Sequence, residues 1–446
     1  MMLSSVFNGL AGQFSGDIFY TAFLLSYGFN PSGISLLLML PYLTTFFYLL
    51  SPSLLERFKK RKLVLAIARI AVHTINILGI TLLPMFFEKD ADGNVINMAA
   101  MTAAFVAITL LANTISALFS QGYTAWHANF LTDDVRADYF TSSQCISATV
   151  YIVVFLMSIY ADSIENTAAY ATFLTTMRFV AYGLAVIDVI MLLIPKEYEY
   201  PKTVEKPKIK YVFTLPFKDK KFLMTISIIV MVTFATNIHA GYINTFLLDT
   251  INVPKRLISG INALYFAFFI IFGTQCKKFI AKQTWLRALG FALIIEGMSY
   301  LTYAFIVPGG LILYTGVRLW QHVMGVLRGT IIAALPYLNL PETDRTNYIA
   351  FYTIANNMGA FTARMLGQVL YENIGKSAFI LDAFASIGIV GEVPILILLC
   401  GILEGLVAIP CFVWFKKATP EPLLNEYYAG KEAKKAYPSR KKAEKS

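Results

Sequence analysis

Charge is scarce in this chain: 14% of its 446 residues are Asp, Glu, Lys or Arg, against about 25% in a soluble globular domain. Histidine and cysteine are rarer still, with four of each. Cys145, Cys276, Cys400 and Cys411 sit in or at the ends of apolar stretches and form no C-x-x-C pair. That spacing argues against a disulfide framework and against a zinc site. No G-x-x-x-x-G-K-[ST] phosphate loop is present. Gly375-Lys376-Ser377 ends like one, but Leu370 stands where its first glycine belongs, so no ATP-driven step is expected. Neither H-E-x-x-H nor G-x-S-x-G occurs, which leaves membrane-protease or lipase chemistry without visible residues. The first five residues carry no basic side chain, and the first apolar stretch contains Gln13 and Asp17. A cleaved signal peptide is therefore not expected.

What the chain has instead is oil. Hydrophobic residues make up 57% and the mean hydropathy is +0.62. They come in long runs with few polar breaks, such as 226–234, 263–272 and 394–415. A helix of about 20 apolar residues matches the hydrocarbon thickness of a bilayer. A lipid-exposed backbone must satisfy its own hydrogen bonds, as a helix or as a closed barrel. Barrel strands would alternate in segments of about ten residues, a pattern that these long runs lack. The reading is an all-α membrane protein with twelve transmembrane helices over 3–27, 32–55, 63–86, 98–123, 139–160, 169–194, 222–248, 258–276, 285–307, 311–335, 347–371 and 393–415. Pro195, Pro308, Pro336 and Pro341 punctuate segment ends.

The net charge of +10 would suggest nucleic acid on a soluble protein. Here its placement sets topology. One set of loops holds Arg57 to Lys62, Arg136, the lysines from Lys196 to Lys221, Lys277, Lys278, Lys282, Arg287, Arg345 and the basic tail from Lys416. The opposite loops hold only Lys89, Lys255, Arg256 and Lys376. The positive-inside rule puts both termini in the cytoplasm, as an even helix count requires. The expected location is the plasma membrane, and no nucleic-acid partner is expected. The longest internal loop, 195–221, splits the helices six and six. The organisation read from this is an N-terminal six-helix bundle at 1–194, a cytoplasmic linker at 195–221, a C-terminal six-helix bundle at 222–415 and a basic cytoplasmic tail at 416–446.

The two halves share a motif. Before the fifth segment the chain reads Leu131-Thr-Asp-Asp-Val-Arg136-Ala-Asp-Tyr139, and before the eleventh Leu340-Pro-Glu-Thr-Asp-Arg345-Thr-Asn-Tyr348. The leucines, Asp133 and Glu342, the arginines and the tyrosines are all equally far apart. A repeat in the same sense relates the halves about an axis along the membrane normal. With the basic loop after segment 2 and the long central loop, the chain resembles the major facilitator superfamily over essentially its whole length. In that loop, Pro52-Ser-Leu-Leu-Glu56-Arg57-Phe-Lys59-Lys60-Arg61-Lys62 matches the family's acidic–Arg pair and basic run. It lacks both family glycines, so the resemblance rests on architecture more than on motif. It implies two pseudo-symmetric six-helix bundles, with segments 1, 4, 7 and 10 lining a central cavity and 3, 6, 9 and 12 lying outside.

Ionisable groups inside such segments cost about 2.5–3.5 kcal/mol each on insertion scales and turn towards the bundle interior. They are Asp17, Arg69, His73, Arg178, Asp188, His239, Glu296, Arg318, His322, Arg328, Arg364 and Glu404. Tyr314, Arg318 and His322 recur every four residues and share one helix face. The Arg318 fork suits a carboxylate or phosphate, or else an ion pair with Asp17 or Glu296. His322 could carry a proton or simply bond across helices. Gln13, Asp17 and Thr21 form a similar face, with Asp17 the candidate for ion coupling. Asn237 and Asn244 flank Gly241, a place for a local helix break. Asn357 and Arg364 share a side of segment 11. The expected substrate-binding set is thus Arg318, His322, Tyr314, Arg364, Asn237, Asn244, Asn357 and Gln13. Glu56, Arg57, Arg136 and Arg345 form the expected cytoplasmic gate. Glu404, inside a G-x-x-x-G spacing, reads as structural.

The function expected is secondary active transport of a small solute by alternating access, driven by a proton or sodium gradient, in a monomer without a cofactor and with no catalytic or metal-binding residues. The alternatives are a polytopic enzyme acting on lipid or isoprenoid-linked substrates, with Asp133, Asp134 and Asp138 as its one acidic cluster, and a non-transporting receptor on a transporter fold.

Overall fold

The computed structural model describes residues 2–55, 58, 60–88, 90, 95–128, 133–197, 209–341, 345–421, 423–425 and 427–429; at 2, 52–53, 121, 124–128, 133–148 and 345–346 it describes the backbone alone. Among these residues the chain is helical throughout, with no β-strand. Each of the twelve predicted segments falls on helix. We number them α1 (Met2–Ser15 and Asp17–Ser26), α2 (Pro31–Leu43, continuing to Leu55), α3 (Lys62–His73, continuing to Phe86), α4 (Met98–Ala128), α5 (Asp133–Ile164), α6 (Ala169–Leu193), α7 (Lys220–Asn237, resuming at Ile243), α8 (Lys255–Gln283), α9 (Trp285–Tyr303), α10 (Leu311–Leu338), α11 (Arg345–Gly375) and α12 (Glu392–Ala418). Short helices at Ile209–Thr214 and Ala378–Ala385 lie between them.

Among the described residues, seven stretches are long and apolar enough to cross a membrane: Pro31–Leu50, Lys62–Phe86, Met98–Ser120, Ala169–Leu193, Lys220–Asn237, Lys255–Gln283 and Glu392–Ala418. α10 and α11 are not among them. They carry Arg318, Gln321, His322 and Arg328, and Asn356, Asn357, Arg364 and Gln368. Large apolar side chains lie open on the outer faces, Ile312 at 90% and Ile270 at 81% exposure. Such surface is costly in water and at home in lipid.

Three interruptions shape the interior. In α1, Gly16 is extended (φ −120°) and Asp17 takes φ +44°, a left-handed conformation that Asp and Asn adopt more readily than other side chains. A Cβ on Gly16 would lie 2.6 Å from the Gly12 carbonyl oxygen, so glycine is needed there. In α3, the turn Thr74–Gly79 is π-helical. In α7 the helix stops at Asn237 and resumes as Ile243–Thr245. There a Cβ on Gly241 would overlap the Ser35 hydroxyl, at 2.1 Å.

Packing within 2–197 joins α1 to α5 and α6, α3 to α4 and α6, and α2 to α4; within 209–421 it joins α9 to α10 and α12, and α7 to α11 and α12. The second set has an apolar core of its own, including Phe222, Ile229, Leu289, Leu293, Val326 and Cys411. Across the sets the heaviest contacts are α5 with α8 and α2 with α11. Ser158 and Ser259 share a hydrogen bond of 2.7 Å on the first seam. Arg364 spans the second, donating to the Leu38 carbonyl at 3.0 Å and to the Tyr42 hydroxyl at 3.2 Å.

Candidate functional site

Among the described residues, two polar cavities inside the bundle stand out by size. The larger, about 420 Å³, is walled by Tyr151 of α5, Asn262, Tyr265 and Phe266 of α8, Glu296 and Tyr300 of α9, and a long face of α10. That face is Arg318, Gln321, His322, Gly325, Arg328 and Gly329, the i, i+3, i+4, i+7 spacing of one helical stripe. Arg328 Nε stands 2.8 Å from Glu296 Oε2, so Glu296 is paired. Arg318 donates to Gln321 Oε1 at 2.9 Å, which answers the question of its partner left open by the sequence: it is neither Asp17 nor Glu296. The wall is aromatic elsewhere, with Tyr265 5.4 Å from the His322 ring and Tyr151 5.2 Å from Phe266.

The smaller cavity, about 350 Å³, is built from the first part of the chain: Gly12 to Tyr20 of α1, Leu37, Leu38 and Pro41 of α2, His73 and Asn76 of α3, Asn113 of α4 and Arg178 of α6, among others. Arg178 is buried and binds neutral acceptors. It donates to the Ser15 carbonyl at 2.8 Å, the Asn76 carbonyl at 3.3 Å and the Thr81 hydroxyl at 2.9 Å. The first two acceptors come from the broken turn of α1 and the π turn of α3, where backbone groups lose their regular helical partners. The guanidinium also lies 4.7 Å from the Phe23 ring. Nearby, Asp188 of α6 is fully buried and takes Arg69 at 2.7 Å, Ser4 at 2.5 Å and His73 at 3.8 Å.

α1 touches both cavities. Asp17 lines the smaller one and accepts a 2.9 Å hydrogen bond from Asn244 Nδ2, beyond the break in α7. Gln13, one turn earlier, donates to the Tyr151 hydroxyl of the larger cavity at 3.5 Å. Four of the predicted residues are thus joined in two places, Arg318 with His322 and Asp17 with Asn244, and Gln13 reaches the first through Tyr151. Tyr314 is fully buried one turn before Arg318, with its hydroxyl beside that guanidinium and its ring 6.3 Å from the Tyr303 ring, outside the cavity wall itself. The rest stand apart. Arg364 and Asn237 bond each other at 3.1 Å at the α2–α11 seam. Asn357 is half-buried, and it is Asn356, one position earlier, that accepts from Thr233 at 2.6 Å. Glu56 and Arg57 lie outside the described residues. Arg136 and Arg345 fall on helix, their side chains outside the described residues.

The division into lining and outer helices implied by the family resemblance needs correcting. α3, α6 and α9 all contribute polar side chains to the cavities. They carry His73, Arg178 and Glu296, charges that must turn from lipid wherever their helix sits. Sequence reading also missed Gln321, Asn262 and Tyr265. Gln321 was legible, three residues from Arg318 on the same stripe.

At the end predicted to face outward, Asp162 of α5 caps α8: its two oxygens accept the Lys255 and Arg256 amides, each at 2.9 Å. The Lys255 ammonium is buried, pairs with Glu165 and lies 5.0 Å from the Tyr170 ring.

No protein-family model matches this chain, and no curated protein does. Solved structures do. A D-xylose–proton symporter aligns with a TM-score of 0.66 over 94% of this chain and 97% of its own, at 14% identity. The nucleoside transporter NupG aligns at 0.59 over 93% and 98%, at 13% identity. An auto-inhibited POT family peptide transporter aligns at 0.64 over 93% and 96%, at 11% identity. The chain is a multi-pass helical membrane protein that shares the overall fold of these transporter structures.

Proposed function

We propose that this chain is a secondary active transporter that moves a small solute by alternating access. Its twelve helices cross the plasma membrane as two pseudo-symmetric bundles, 1–194 and 222–415, with both termini cytoplasmic. The observation that carries this reading is the bond of Asp17 to Asn244. It joins two interrupted helices, the first of each half, beside polar cavities inside an apolar bundle. Broken helices at a midplane site are how transporters expose polar backbone to a solute without exposing it to lipid. The structural neighbours, all named as transporters, support the same reading over an enzyme.

The halves meet along two seams. The Asp162, Glu165 and Lys255 cluster holds the outer end of the α5–α8 seam, while Arg364 ties α2 to α11. Rocking between the halves exchanges these for contacts at the cytoplasmic end, where Glu56, Arg57, Arg136 and Arg345 would supply the charges. The solute binds in the larger cavity at Arg318 and His322. Asp17 carries the coupling proton or sodium ion, and its bond to Asn244 reports its charge to the second half. Arg364, Asn237, Tyr314 and Asn357 brace these elements.

The test is flux. In proteoliposomes holding the purified protein, an inward proton or sodium gradient is expected to drive accumulation of a solute above its outside concentration. Accumulation should collapse when an ionophore dissipates that gradient. Equal, non-saturating entry with and without protein, for every solute that binds, contradicts the proposal.

A further inference from the structure

We propose that the larger cavity takes an organic solute bearing a single carboxylate, held by Arg318 and Gln321; this rests on the transport reading above and names its substrate class. The charged residues of the wall are Arg318, Arg328 and Glu296. Glu296 is committed to Arg328 at 2.8 Å, so the pair is neutral as a unit. Arg318 is left with neutral partners, the Gln321 amide oxygen and the Tyr314 hydroxyl beside it. A guanidinium has five N–H donors, and these two oxygens cannot use them all.

Of the other acids near by, Asp17 is committed elsewhere, and Glu404, whose carboxyl oxygens have no hydrogen-bond partner among the described residues, stands outside this wall. Asp17 lines the other cavity and accepts from Asn244. Glu404 of α12 is fully buried and is not part of this wall. Its Cβ lies 3.6 Å from where a Cβ on Gly297 would stand, which places it in the α9–α12 seam. A half-buried cation without a counter-charge is costly, and a bound anion removes that cost.

A second observation points the same way. Gln321 is 5% exposed, and its Nε2, buried against the cavity, has no hydrogen-bond partner among the described residues. With its oxygen on Arg318, the amide group of Gln321 presents donors beside the guanidinium. Donors converging on one place suit an oxyanion. One net positive charge fits a carboxylate better than a phosphate monoester, which carries about −1.5 to −2 at neutral pH. The aromatic wall of Tyr151, Tyr265, Phe266 and Tyr300 calls for an organic body rather than an inorganic ion.

Matched compounds test this on the purified full-length protein. Benzoate, benzamide, benzylamine and phenyl phosphate share a ring and differ in the polar group; hexanoate and hexanamide repeat the comparison without a ring. A carboxylate of the set is expected to raise the melting temperature saturably. Its amide and the amine should not, and the phosphate should do so less. Arg318→Gln and Gln321→Leu should remove the preference. Arg318→Lys, which keeps the charge and loses the fork, should retain it at a weaker midpoint, and it serves if Arg318→Gln fails to fold. The proposal is overturned if no carboxylate stabilises the protein, if amide and carboxylate act alike, or if Arg318→Gln leaves the carboxylate shift intact. Carboxylate binding without flux in proteoliposomes would keep this assignment and remove the transport reading. Saturable flux of a neutral sugar that survives Arg318→Gln would do the reverse.

Discussion

Arg178→Met is expected to be among the most destabilising single changes in the chain. Arg178 satisfies the Ser15 and Asn76 carbonyls and the Thr81 hydroxyl, and the two carbonyls come from distorted turns on different helices. Methionine restores most of the volume and none of the donors. Each buried acceptor left unmade costs about 1–3 kcal/mol, so a loss of roughly 3 kcal/mol or more follows for the three together. The change should lower the melting temperature by many degrees in detergent. Arg178→Lys should recover part of the loss, since one ammonium can reach one or two of the acceptors. A melting temperature unchanged by Arg178→Met would mean that the broken turn of α1 needs no support from α6.

Asp17→Asn should separate coupling from folding. Asn is the substitution best suited to keep φ +44°, because it too tolerates the left-handed region. Its side-chain oxygen can still accept from Asn244. What is lost is the charge. Gradient-driven accumulation is therefore expected to vanish, while the melting temperature and exchange of labelled for unlabelled solute stay near wild type. Measuring both kinds of flux on one reconstituted sample decides it. Accumulation that persists in Asp17→Asn would move the coupling role elsewhere.

The helices were legible because bilayer thickness fixes a length of apolar sequence that no other requirement imitates. All twelve expected segments are helical in the structure. Their ends were less so: α8 runs from Lys255 to Gln283, beyond the predicted 258–276, because its charged termini extend past the oil. Gly241 announced the break in α7. Nothing in the sequence announced the break in α1, where Asp17 reads as one position on a smooth polar face and is instead a left-handed residue. The polar stripe of α10 was legible as a direction but not as a depth: Tyr314 meets Arg318 yet lies outside the cavity wall. Ion-pair partners depend on how helices rotate against one another, and a single position turns a side chain well away. Glu296 meets Arg328 rather than Arg318, and Asn356 rather than Asn357 faces Thr233.

Cross-linking the two halves tests alternating access most directly. The Ser158 and Ser259 hydroxyls are 2.7 Å apart across the α5–α8 seam, so Ser158→Cys with Ser259→Cys, in a background without the native cysteines, can form a disulfide. Solute flux should fall to the level of empty liposomes on oxidation and return on reduction, with the mass of the protein confirming the bond. Flux that continues at its reduced rate while the bond is fully formed would contradict transport by rocking of the two halves.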